Sequence, residues 1–250
     1  MWIKSPKDIA KQRLGGQLLS QVHSLVAQHV QPGVNTQQLD KLAEEYIRDH
    51  GAQPSFQGFK GFPACLCTCV NDAIVHSIPS AQEVLQEGDI ISIDCGIYYQ
   101  GYHTDAALTH PVGAVSEKLL NLLAQTKKAL RMGIAKATTQ HCIGDISHAI
   151  QQTVEKAGYT PISTYGGHGI GEALHEAPYI PNVGKPGVGD RIQEGMVLAI
   201  EPLVTLGSDR CTTQGHWQVR TADGKPCAHF EQTIAIVDGQ AEILTPYTTP

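Results

Sequence analysis

Residues 36–54 read TQQLDKLAEEYIRDHGAQP, and 107 positions further on residues 143–161 read IGDISHAIQQTVEKAGYTP. The two stretches share a frame: Leu39 matches Ile146, Ile47 matches Val154, Gly51 matches Gly158 and Pro54 matches Pro161. Apolar residues at helical spacing, then glycine, then proline three residues later, predict two helices that stop in the same way. The offset of 107 returns downstream, where residues 87–94, EGDIISID, are echoed by residues 194–201, EGMVLAIE. Each copy is a buried strand ending in a carboxylate, Asp94 or Glu201. A third echo sets His76-Ser77-Ile78-Pro79 against His175-Glu176-Ala177-Pro178 at an offset of 99, so the loops between differ in length. Three echoes in one order imply a duplication, each half a helix-helix-strand unit, with the halves facing each other across a pseudo-twofold axis.

Outward from this repeat, helical periodicity also covers about Pro6 to Val30 and Ser116 to Ile134. The expected architecture is a single α+β domain over residues 1–250, with halves of about 1–112 and 113–250. Such a doubling sets equivalent residues opposite each other in a central cleft, so a carboxylate and a histidine from each half should converge there.

Composition excludes some classes of function. The net charge of -6 comes from scattered acids with no basic tract, which gives no electrostatic footprint for nucleic acid or an anionic membrane surface. The residues MWIKSPKD at the start lack the apolar run of a signal peptide, and no later stretch has the length and apolarity of a membrane span; the expected location is the cytoplasm. Seven cysteines fit reduced thiols better than a disulfide framework in a chain of this size. Cys65, Cys67 and Cys69 alternate with single residues, too closely for a structural zinc pair, and should be small buried residues on one face of a strand.

The candidate chemistry begins at Asp94 and Asp105, joined by a stretch that reads as a hairpin. A two-residue turn at Tyr99 and Gln100 would pair the two acids directly, close enough to repel unless one is protonated or a cation lies between them. The next candidates are His168 in a glycine-rich stretch that reads as a strained loop or equally as an ordinary turn, Glu201 before proline, and Glu231 at the start of an alternating apolar run. Four carboxylates and an imidazole make an oxygen-rich set suited to two divalent ions.

Six segments carry a resemblance that extends over nearly the whole chain: NDAIVHSIP from Asn71, the Asp94 to Asp105 hairpin, GHGIG from Gly167, HEAP from His175, Glu201-Pro202 and FEQT from Phe230. In this order and spacing the sequence resembles the type I methionine aminopeptidases of the pita-bread fold, a curved antiparallel sheet covered by helices. The resemblance implies a cytoplasmic hydrolase that removes the N-terminal methionine of nascent proteins and peptides by metal-activated water. It implies Asp94, Asp105, His168, Glu201 and Glu231 as ligands of two divalent ions, Co, Mn, Fe or Zn, with Asp105 and Glu231 bridging. His76 and His175 would flank the substrate, and Glu201 would also accept the proton. Phe59, Phe62, Cys67, Leu174 and Trp217 would surround the first side chain, in an apolar pocket suited to a thioether. The implied partners are peptide or nascent polypeptide, with transient ribosome contact, and the implied state is a monomer.

The sequence departs from the family pattern at Phe59 and Phe62, where tyrosines are common, at Leu174, usually aromatic, at Phe56, usually cysteine, and at Gln232, usually histidine. These departures bear on the strictness of the methionine preference. Prolidases and aminopeptidases P share the catalytic half and normally carry a further N-terminal domain. A paralogue with altered first-residue specificity would also carry these motifs. Non-catalytic binding relatives tend to lose ligands, and all five are present here. The 25 residues between His175 and Glu201 leave no room for the long insertion of the type II enzymes.

Overall fold

The computed structural model describes residues 3–247. The chain opens with α1 (Pro6–Ala27) and α2 (Thr36–Asp49), followed by β1 (Gln53–Pro54), β2 (Leu66–Val70), β3 (Ala73–Val75), and the hairpin of β4 (Ile90–Tyr99) and β5 (Tyr102–Pro111). The second half repeats the plan with α3 (Glu117–Ile134), α4 (Ile143–Lys156), β6 (Thr160–Pro161), β7 (Gly166–Gly169), β8 (Glu176–Pro181) and β9 (Val197–Ile200). It ends with β10 (Leu203–Thr205), β11 (Cys211–Gln214), β12 (Gln218–Thr221), β13 (Cys227–His229), β14 (Glu231–Val237) and β15 (Gln240–Ile243).

The helices start and stop where local chemistry requires. Ser5 and Asn35 cap α1 and α2, each in a reciprocal pair with the residue three positions on, Asp8 or Gln38. Past α2 and α4 the chain turns through Gly51 and Gly158 at φ of 73° and 81°, a region glycine enters without a Cβ penalty. The matched residues are matched in burial too: Leu39, Ala43 and Ile47 on α2, and Ile146, Ile150 and Val154 on α4, are all buried. The first trio packs with Ile91, Ile93, Cys95 and Ile97 of β4, the second with Leu198 and Ile200 of β9. Alternation then turns the intervening residues, Asp94 among them, to the opposite face of the sheet.

One nine-stranded antiparallel sheet spans both halves in the order β1-β4-β5-β14-β9-β7-β8, with β2 also on β4 and β15 on β14. The seam between the halves is the β5–β14 pair, where Glu231 stands opposite Ala107 and Gln232 opposite Ala106. The side chain of Thr233 locks this seam, donating to the carbonyl of Asp105 and accepting from its N–H.

The structure corrects three local expectations. The hairpin tip is Gln100-Gly101, both at positive φ (50° and 94°), so Asp94 pairs with Ala107 and Asp105 with Gly96. The two acids are therefore diagonal neighbours on one face rather than directly opposed. The stretch around His168 is a strand, β7, hemmed in on both sides. A Cβ on Gly167 would meet the carbonyl oxygen of Ala199 at 2.2 Å, and one on Gly169 that of Ala177 at 2.3 Å, so the glycines serve close backbone approach rather than a strained loop. Finally, β2 begins at Leu66, and Cys65 joins the cluster under α1 and α2 while Cys67 lies in a separate one against Phe56 and Phe62. All seven cysteines are free.

Candidate active site

Between the two halves, on the face of the sheet away from the helices, lies a cavity of about 520 Å³. Asp94, Asp105, His168, Glu201 and Glu231 all line it, drawn from β4, β5, β7, the end of β9 and the start of β14. His76 and His175 line it as well. The five expected ligands and the two expected flanking histidines thus meet in one place.

The donor atoms are close. One set, Asp105, His168 and Glu231, brings its ligand atoms within 4.8 Å of one another, and so does a second set, Glu201, His229 and Glu231. His168 Nδ1 lies 2.9 Å from the carbonyl oxygen of Gly169. A carbonyl only accepts, so Nδ1 carries the proton and Nε2 presents its lone pair, 3.9 Å from Glu201. That is the tautomer a metal ligand needs, fixed by the backbone of its own strand.

The electrostatics call for a cation. Asp94 Oδ1 and Glu231 Oε1 are buried without a hydrogen-bond partner among the described residues. Burial, then the neighbouring Asp105 and Glu201, push the Asp94 carboxyl well above the usual range. Glu231 is raised in the same way, and Asp105 is raised to about 8, by burial first and Glu201 next. Glu201 differs: burial would raise it, but His229, His168 and His175 outweigh that and hold it below its ordinary value. Buried acids that raise one another are a poor apolar core and a good cage for divalent ions, which supply the missing positive charge.

His175 is a neutral imidazole at neutral pH, lowered to about 4 by burial and then by His168, whose ring centre is 4.3 Å away. His76, also lowered by burial, faces Tyr165 across 6.0 Å and is held at φ 60°, a backbone region most residues avoid.

One end of the cavity is apolar. Phe59, Phe62, Cys67, Leu174 and Trp217 line it, with the Phe62 and Trp217 rings edge to face at 5.3 Å and Phe59 at 5.3 Å from His175. Phe56 lines it too. Gln232 does not: strand alternation turns it to the other face of β14 from Glu231, where its Nε2 donates to the carbonyl of Thr245. Sequence reasoning missed His229, which stands two residues before Glu231. The two residues belong to different strands, β13 and β14, so strand alternation gave no signal for it.

The site's fold and chemistry have known counterparts. The profile of metallopeptidase family M24 matches residues 10–238, and the chain belongs to that family of metal-dependent peptide hydrolases. Within it the chain groups with the methionine aminopeptidases: it is 45% identical over 244 residues to that of Clostridium acetobutylicum, covering 97% of this chain and 98% of the relative. The crystal structure of methionine aminopeptidase from Thermotoga maritima superposes with a TM-score of 0.96 at 39% identity, covering 98% of this chain and 99% of that one. The prolidase of Pyrococcus horikoshii shares the pita-bread fold at a TM-score of 0.79 and 21% identity, with 98% of this chain covering 64% of that one. Among the described residues no helix is long and apolar enough to cross a membrane.

Proposed function

We propose that this chain removes the first residue, methionine, from peptides and nascent proteins, in the cytoplasm and with two divalent ions. The observation that carries this is the convergence of Asp94, Asp105, His168, Glu201 and Glu231 from both halves, beside an apolar recess at the same cavity. In our reading those five residues would hold the two ions. Manganese, iron, cobalt and zinc all suit such a donor set. When bound, the ions lower the pKa of water and polarise the scissile carbonyl.

The chain's own residues do the rest. Glu201, the acid kept below its ordinary pKa, is the one available to accept a proton while its neighbours stay neutral or cation-bound. His175 and His76, both biased to the neutral form, hydrogen-bond the peptide carbonyl and amide, and so steady charge that develops in the tetrahedral intermediate. The recess formed by Phe59, Phe62, Cys67, Leu174 and Trp217 takes an unbranched apolar side chain and excludes water from it.

The test is hydrolysis of Met-Ala-Ser by protein reconstituted separately with manganese, iron, cobalt and zinc, with Ala-Pro as the contrasting substrate. Release of free methionine with at least one ion is expected. No product with any of the four would overturn the proposal, and preferential cleavage of Ala-Pro would move the chain toward the prolidase reading.

A further inference from the structure

We propose that His229 is a further imidazole ligand, which would join Glu201 and Glu231 in holding one of the two ions. This deepens the proposed dinuclear reading and rests on it.

Four observations lead there. First, His229 Nε2 is 3.4 Å from Glu201 Oε2 and 3.8 Å from Glu231 Oε2. Two donors on one ion, each bonded at ~2.1 Å, stand ~3.0 to 3.5 Å apart at octahedral or tetrahedral angles, so a small side-chain adjustment closes the cage. Second, that nitrogen is buried and has no hydrogen-bond partner among the described residues. A buried polar atom without a partner is costly, and an ion between it and two carboxylates would satisfy all three.

Third, the residue is held before any ion arrives. His229 is 2% exposed and ends β13, where it pairs with Leu203 of β10, two residues past Glu201. Its N–H donates to Thr109 Oγ1 and its carbonyl accepts from that same hydroxyl, both at 2.8 Å. Thr109 Oγ1 lies a further 2.8 Å from Ser92 Oγ, and since its own proton goes to His229, Ser92 is the donor there. His229 is thereby pinned to the β4–β5 hairpin that carries Asp94 and Asp105, while its ring reaches the acids of the second half. Fourth, the donor set stays chemically consistent: a second imidazole adds no charge to a site already crowded with carboxylates and suits the same borderline metals.

The competing role is positioning, with His229 only hydrogen-bonded to Glu201 and no contact with an ion. Proton NMR of the protein loaded with two equivalents of cobalt(II) separates the two, because the ring protons of a ligating imidazole are strongly shifted by the paramagnetic ion. Wild type should show two such imidazole sets, one from His168 and one from His229, and His229→Gln should show one. The dissociation constant for one of the two cobalt equivalents should rise at least about tenfold in His229→Gln by titration calorimetry. A single imidazole set in the wild type would overturn ligation by His229, and that spectrum needs no variant to fold. Failure of the wild type to take up cobalt at all would instead sink the dinuclear reading beneath it.

Discussion

The two halves share a backbone plan and differ in what they hang on it. Cys69 of β2 stands opposite Ser92, and His168 of β7 stands opposite Ala199, whose sequence position is offset by the same 107 that relates the helices. By register, then, a thiol in the first half occupies the place that an imidazole occupies in the second. Both histidines with donor atoms in the acid clusters, His168 and His229, come from the second half. The carboxylates diverge as well. Asp94 is raised by burial and by its acidic neighbours, whereas Glu201 is lowered because three histidines surround it. A duplicated strand therefore fixes where a side chain goes, and the residues facing it decide its charge.

The sharpest way to break this contrast is to neutralise each carboxylate in turn. Asp94→Asn and Glu201→Gln should each lower kcat/KM by about 10³-fold or more, a loss of about 4 kcal/mol, since both remove a donor from the shared cavity. Their effects on metal-free protein should be opposite. Asp94→Asn removes an acid whose ionised form the fold disfavours and should raise the thermal midpoint at pH 7.5. Glu201→Gln removes an acid whose ionised form the fold favours and should lower it. Scanning calorimetry of chelator-treated protein decides this, and shifts of the same sign would erase the electrostatic difference between the halves.

The paired histidines come next. His175 packs against the His168 ring at 4.3 Å, beside the donor set, whereas His76 faces Tyr165 at 6.0 Å. His175→Ala should reduce kcat by about 10²-fold, the scale of one lost transition-state hydrogen bond, and His76→Ala by about tenfold, both at unchanged metal content. Turnover measured alongside atomic absorption tests the pair, and equal losses of activity and metal in His175→Ala would make it a structural support of the site.

The sequence disclosed the helices and the converging acids because these follow from local periodicity and from the repeat. Leu39, Ala43 and Ile47 announce a buried helix face from spacing alone, and Asp94 and Glu201 announce each other through the offset of 107. What it withheld depended on register and on contacts across the sheet. A turn one residue later than expected moves Asp105 from opposite Asp94 to opposite Gly96. The glycines beside His168 reflect the carbonyls of Ala199 and Ala177, which strand pairing brings against them. His229 stayed hidden because its chain crosses from β13 to β14 at Phe230, and its partners are Thr109 of β5 and Glu201, just past the end of β9.

The smallest effect concerns the helix layer, where the repeat also breaks. An offset of 107 carries His23 of α1 onto Leu130 of α3, and both are buried. His23 Nε2 donates to the carbonyl of Ala106 at 2.9 Å, which leaves Nδ1 as a buried acceptor without a partner among the described residues. Burial, then the nearby His110, lower its pKa to about 3. The unfolded chain binds that proton near pH 6.5 and the folded chain does not, so stability is full above pH 6.5 and falls as the pH drops from there toward about 3. At pH 5 the loss from His23 is about 2 kcal/mol. His23→Leu, which copies the second half, should cost about 1 kcal/mol at pH 7.5 because the Ala106 carbonyl loses its donor. At pH 5 the order should reverse, with the variant about 1 kcal/mol more stable than wild type. Urea unfolding of both proteins at the two pH values measures this, and the shared acid site cancels in the difference. Parallel profiles would mean that α1 and α3 differ in shape but not in charge.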